Sequence, residues 1–175
     1  MSFRKAIRWL PVLAGLCVGC NPGDGVDRQA GEIVEREGQP GVHYVADDDD
    51  RMTAAIAQAR DTVPQFIATL NGPQLGQTGF AVKVEITDGE NVEFMWLSPV
   101  RYDGAQFMGT LNNDPDIVGS VKLGDELTVA QGEVSDWMYL ENSKLVGGFT
   151  LRVLRDAMSA DERAEFDQSL PFMVD

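Results

Sequence analysis

The side chains best suited to chemistry are few and poorly spaced for it. Imidazole and thiol are limited to His43, Cys17 and Cys20. A zinc site built from His and Cys is excluded by that count. A nucleophile–base pair of the Ser-His or Cys-His kind would need His43 to fold back from a polar segment ahead of the first strong apolar pattern. No glycine-rich phosphate loop and no nucleophile elbow occurs. Asp47-Asp48-Asp49-Asp50 has a metal site's composition but not a calcium loop's spacing. Acids just ahead of a helical pattern serve as cap and dipole partner instead. Two of the 28 Asp and Glu could meet across a sheet, as in glycosidases, but in so acidic a chain that says little. No catalytic residue, metal ligand or cofactor is therefore assigned.

Binding chemistry is easier to find. Val134–Leu140 and Leu145–Val153 read as a hairpin turning at Glu141-Asn142-Ser143-Lys144. With Leu140 opposite Leu145, Trp137 faces Gly148 and Glu133 faces Arg152. One side then carries Glu133, Ser135, Trp137, Tyr139, Thr150 and Arg152. Together with Trp96 and Asn113 from earlier segments, Trp137, Tyr139, Arg152 and Glu133 make a candidate binding surface, aromatic with convergent polar groups. The competing reading has the long helix, or residues 104–115, cover that side and makes Trp137 core.

The opposite side carries Val134, Met138, Leu140, Leu145, Phe149 and Leu151, and also Asp136, which breaks the apolar pattern. A carboxylate there is costly unless it accepts several hydrogen bonds. Either a bulge near Ser135 turns Asp136 outward, or it is buried as a structural polar group. The second is expected, with Asp136 tying down backbone N–H groups of residues 104–115.

Arg4, Lys5 and Arg8 precede a mostly apolar run, Trp9 to Gly19, too short to span a bilayer. Val18-Gly19-Cys20 resembles the end of a bacterial lipoprotein signal, with Cys17 where Leu is usual. Residues 1–19 are expected to be a signal peptide and Cys20 the lipidated residue. Asn21 points to outer-membrane sorting, with the domain facing the periplasm. Without lipidation at Cys20 the product is a soluble periplasmic protein. Neither cysteine lies beyond Cys20, so the domain cannot hold an internal disulfide. The whole chain carries −14; residues 1–19 hold three positive side chains and no acid, which leaves −17 on the rest. So acidic a body repels phosphate backbones, and nucleic acid is excluded as a partner. The lipid would hold it at the membrane.

The elements follow from periodicity. Residues 20–46 are polar and glycine-rich, a flexible tether, with His43-Tyr44-Val45 as a short strand or docking segment. Met52, Ile56, Ala59, Val63, Phe66 and Leu70 line one face of a helix. Pro64 implies a kink or a restart at Thr62. From Phe80 the period becomes two: Phe80, Val82, Val84 and Ile86 alternate with Ala81, Lys83, Glu85 and Thr87. Asp88-Gly89 turns the chain into Val92–Leu97. Ser159 with Glu162 is a capping box opening a short C-terminal helix. The expected class is α+β: a long amphipathic helix packed on a curled antiparallel sheet of five or six strands, residues 47–175 forming a single domain.

Several phrases together resemble a family of bacterial proteins, the YegJ-like domain of unknown function. They are Glu93-Phe94-Met95-Trp96-Leu97, residues 107–115, Gly124-Asp125, Ser135-Asp136-Trp137-Met138-Tyr139 and residues 147–152. The resemblance spans about residues 47–155 and implies a small, often exported α+β domain with no assigned reaction. The expected function is a non-enzymatic envelope lipoprotein binding a protein or envelope component. The alternatives are an immunity-like inhibitor acting through its acidic surface and a carboxylate-dependent hydrolase.

Overall fold

The computed structural model describes residues 4–7, 33–36, 39–45 and 49–175, with side chains from Asp49 onward. Helix α1 (Asp50–Asn71) begins where expected: Asp49 is its N-cap, and its carboxylate accepts from the Arg51 N–H at 2.9 Å. Met52, Ala59, Val63 and Phe66 on its apolar stripe are buried. The helix runs through Pro64 without restarting at Thr62. Proline has no N–H to offer the Arg60 carbonyl one turn back; just ahead of it the Thr62 hydroxyl donates to the Gln58 carbonyl at 2.7 Å.

Six antiparallel strands follow, after three short ones near the N-terminus: β1 (Arg4–Ile7), β2 (Ile33–Arg36) and β3 (Gln39–Val45). They are β4 (Gln77–Asp88), β5 (Asn91–Tyr102), β6 (Gln106–Leu111), β7 (Glu126–Ala130), β8 (Val134–Glu141) and β9 (Lys144–Gly147). Their order across the curled sheet is β7-β6-β5-β4-β8-β9. Asp88 pairs with Asn91 across the expected first turn. Strand β6 lies within residues 104–115. Strand β5 divides its outer edge: residues from Leu97 onward pair with β6, and Asn91–Phe94 pair in parallel with β1. Beyond β1 come β3 and then β2, so residues 33–36 and 39–45 of the expected tether are strands.

Both sheet faces are covered. Val82, Val84, Met95, Leu97, Phe107, Val134 and Trp137 pack against Ala59, Val63 and Phe66 of α1. On the other face Ala81, Phe94, Trp96 and Met138 pack with Leu151 and Leu154. Those two leucines belong to α2 (Phe149–Ala157), where the sequence pattern implied a continuing strand. Leu140 does pair with Leu145, through a turn at Asn142 and Ser143. The strand then stops at Gly147-Gly148, both left-handed with φ of 76° and 63°. Other residues adopt that region at a cost. Phe149, Leu151 and Val153 alternate as in a strand, but Leu151 and Leu154 share one helix face. The proposed pairing of Glu133 with Arg152 therefore does not exist. Helix α3 (Ala160–Ser169) opens on the expected capping box, with Glu162 accepting from the Ser159 N–H at 2.8 Å.

Candidate functional site

Where β4 meets β8, Lys83 stands opposite Asp136. Alternation along β4 sends Lys83 to the face beneath α2, where its Nζ lies 5.1 Å from the centre of the Trp96 ring. Lys83 and Asp136 are 1% and 0% exposed. A bulge at Ser135 shifts the register, and it re-aims Val134 toward α1 while Asp136 keeps its place opposite Lys83. Asp136 fills both oxygens. Oδ1 accepts from the N–H groups of Trp137 (2.8 Å) and Phe149 (3.1 Å), and Oδ2 from the N–H (2.8 Å) and hydroxyl (2.6 Å) of Thr150. The Lys83 ammonium donates to the same hydroxyl oxygen at 3.0 Å, completing a chain from cation through Thr150 to anion.

The first turn of α2 has no side-chain cap of its own, because its N-cap is Gly148. Asp136 supplies that cap from a neighbouring strand and places a negative charge at the positive end of the helix. It thus ties down N–H groups of α2, and not of residues 104–115 as the sequence implied. Burial pulls the Lys83 amine down to about 8, the Asp136 charge opposing. Burial pushes the Asp136 carboxyl upward, opposed by Lys83, Thr150 and Trp137. Four donors converging on four acceptor positions favour the ionised carboxylate, since a protonated oxygen would face a donor.

A second buried carboxylate does for residues 116–118 what Asp136 was expected to do for residues 104–115. Glu93 is 0% exposed and alternates with Val92 and Phe94, on the α1 side of β5. Its oxygens accept from the N–H groups of Asp116 (2.9 and 3.1 Å) and Ile117 (3.2 Å), with Val118 at 3.5 Å. Asn113 holds the start of the same loop by accepting from the Trp96 N–H at 3.0 Å.

The candidate surface residues meet in pairs, Trp137 stacking on Tyr139 at 6.2 Å and Trp96 bonded to Asn113, and not as one open surface. Trp137 is buried, its ring stacked on Phe66 at 5.2 Å, and its indole N–H donates to the Ala59 carbonyl at 3.0 Å beside Pro64's turn. Half-buried Tyr139 stacks on Phe80 at 5.2 Å. Trp96 and Asn113 are buried. Arg152 lies on α2 and donates to the carbonyls of Leu145 (3.0 Å) and Gly147 (3.1 Å). Exposed Glu133 accepts from the Ala130 N–H at 2.7 Å. Cys20 lies outside the described residues. Sequence reasoning missed Lys83 and Glu93; the signal for Glu93 was a lone charge in an apolar strand. Among the described residues no group of three or more His, Cys, Asp or Glu could hold a metal ion. Nor does any described helix have the length and apolarity to cross a membrane.

A family model described as "Uncharacterized protein conserved in bacteria (DUF2314)" matches residues 49–173. The chain is 36% identical over 123 residues to the uncharacterized protein YegJ of Escherichia coli strain K12, covering 70% of this chain and 79% of that one. It is 34% identical over 134 residues to a Neisseria meningitidis serogroup B protein named for ankyrin repeats, 72% of this chain and 53% of the relative. The chain thus spans about half of that second relative. No solved structure matches.

Proposed function

The chain belongs to the DUF2314 family of proteins conserved in bacteria, and from that premise we propose that it is a cell-envelope lipoprotein whose domain is a non-enzymatic binding module. The envelope half rests on the basic start, the short apolar run and Val18-Gly19-Cys20. The binding half is carried by one observation: the ionisable groups placed for chemistry are consumed by the fold. Lys83, Asp136 and Glu93 are buried and spend their hydrogen bonds on α2 and on residues 116–118. A hydrolase needs two carboxylates in one open pocket, whereas these two point to opposite faces of the sheet. The relative named for ankyrin repeats supports the same reading, since such repeats build binding surfaces.

The anchored module is expected to take up labelled acyl chains and to partition into detergent, and Cys20→Ser to abolish both. Uptake that survives Cys20→Ser sinks the anchor, and uptake lost only in Cys17→Ser moves it. A second reading, an inhibitor acting through its acidic surface, is favoured by the net −17 beyond residue 19. It requires association with its target protein to slow steeply as salt rises. An apolar contact keeps its rate.

A further inference from the structure

Strand β5 has one half-edge that the rest of the domain leaves to the N-terminal segment. Its inner edge pairs with β4 along residues 91–97, and its outer edge pairs with β6 from Leu97 onward. The outer edge at Asn91–Phe94 pairs with β1, residues 4–7. An unfilled sheet edge presents a row of unmet N–H and C=O groups and recruits another strand. Val92 and Phe94 at this edge are buried apolar residues, so it is no polar rim.

Residues 4–7 lie inside the export segment, and on the lipoprotein reading above they are removed with residues 1–19. We propose that the Gln39–Val45 strand then moves inward by one place and pairs directly with β5. The registers support this. Lys5 is opposite Val45 on one side and Val92 on the other, Ala6 is opposite Tyr44 and Glu93, and Ile7 is opposite His43 and Phe94. With β1 gone, a sideways step of one strand spacing, about 4.8 Å, sets Val45 opposite Val92, Tyr44 opposite Glu93 and His43 opposite Phe94. Those pairs run antiparallel, as the rest of the sheet does. The segment ends close before the α1 cap at Asp49, so it stays tethered beside the edge it fills. Processing thereby locks the end of the tether onto the domain, and the edge is closed to strands of other proteins.

The test uses residues 20–175 with Cys20→Ser, alone and with His43→Pro and Val45→Pro, the residues whose N–H groups face inward. Proline removes the N–H groups that a strand at this position needs. Hydrogen exchange at Val92 and Phe94, whose N–H groups face this edge as that of Trp96 does, is expected to be at least about 100-fold slower in the parent than in the proline variant. Cross-strand NMR contacts should join Val45 to Val92 and His43 to Phe94. Fast exchange in both proteins overturns the proposal, because the edge is then open. Slow exchange in both overturns it too, because something else fills the edge. The processing premise is read separately, from the mass of the protein recovered from the envelope. Retention of Met1 there defeats the premise whatever the exchange rates are.

Discussion

Replacing Asp136 with alanine tests how much the buried network holds. The substitution removes one acceptor each from the N–H groups of Trp137, Phe149 and Thr150 and from the Thr150 hydroxyl. It also leaves the Lys83 ammonium in the core, 1% exposed, with its counter-charge gone. A charged hydrogen bond is worth roughly 1.5–3 kcal/mol, but four on one carboxylate do not add. Removing one partner of a buried ion pair typically costs about 3–5 kcal/mol, and that range is expected here. The assay is urea unfolding at pH 7 of parent, Asp136→Ala, Lys83→Met and the double variant. Coupling predicts that the double variant loses less than the sum of the two singles, by at least about 1 kcal/mol. A loss under about 1 kcal/mol for Asp136→Ala, or strict additivity, would refute the idea that the two residues form one unit.

Three further outcomes are expected from the same packing. Lys83 titrates near 8 when folded against an ordinary lysine value of 10.5 in the unfolded chain, so between those values only the unfolded chain keeps the proton. This group's contribution to stability therefore rises with pH across that window, by about 3 kcal/mol in all. The parent-minus-Lys83→Met difference should climb from pH 8 to 10.5, and a flat or falling difference contradicts it. Phe66→Ala should cost roughly 3–5 kcal/mol, because the ring is fully buried against Phe80, Phe107 and Trp137; a near-neutral denaturation midpoint would take α1 off the sheet. Gly147→Ala should cost at least about 1–3 kcal/mol from its left-handed backbone and more because a Cβ would strike the Trp137 carbonyl. A melting temperature unchanged from the parent would show that the break into α2 is not fixed there.

The parts legible in the sequence are those set by local repetition. The spacing from Met52 to Leu70 fixes α1, and Asp88-Gly89 and Asn142-Ser143 fix two turns with their registers. Helix α2 was hidden because Phe149, Leu151 and Val153 satisfy a period of two as well as a helix does. The Gly147-Gly148 pair was the available warning. Asp136 was visible as a break in an apolar side, and its burial could be reasoned from electrostatics alone. Its partners could not. Lys83 meets it only because β4 pairs with β8 across the intervening strands, and α2 arrives from a segment read as strand. Trp137 and Tyr139 fit either a platform or a face covered by the long helix, and only the packing of α1 against that face selects the second.

The most direct test of the central claim, that the reactive-looking groups serve the fold, is amine labelling of the native protein at pH 8. An amine titrating near 8 would be the fastest of the lysines if reagent could reach it. The account predicts that Lys122 and Lys144 acylate readily while Lys83 stays unmodified until the protein is unfolded in urea. Rapid acylation of Lys83 in the folded protein would contradict it and return Lys83 and Asp136 to the list of groups that meet a substrate.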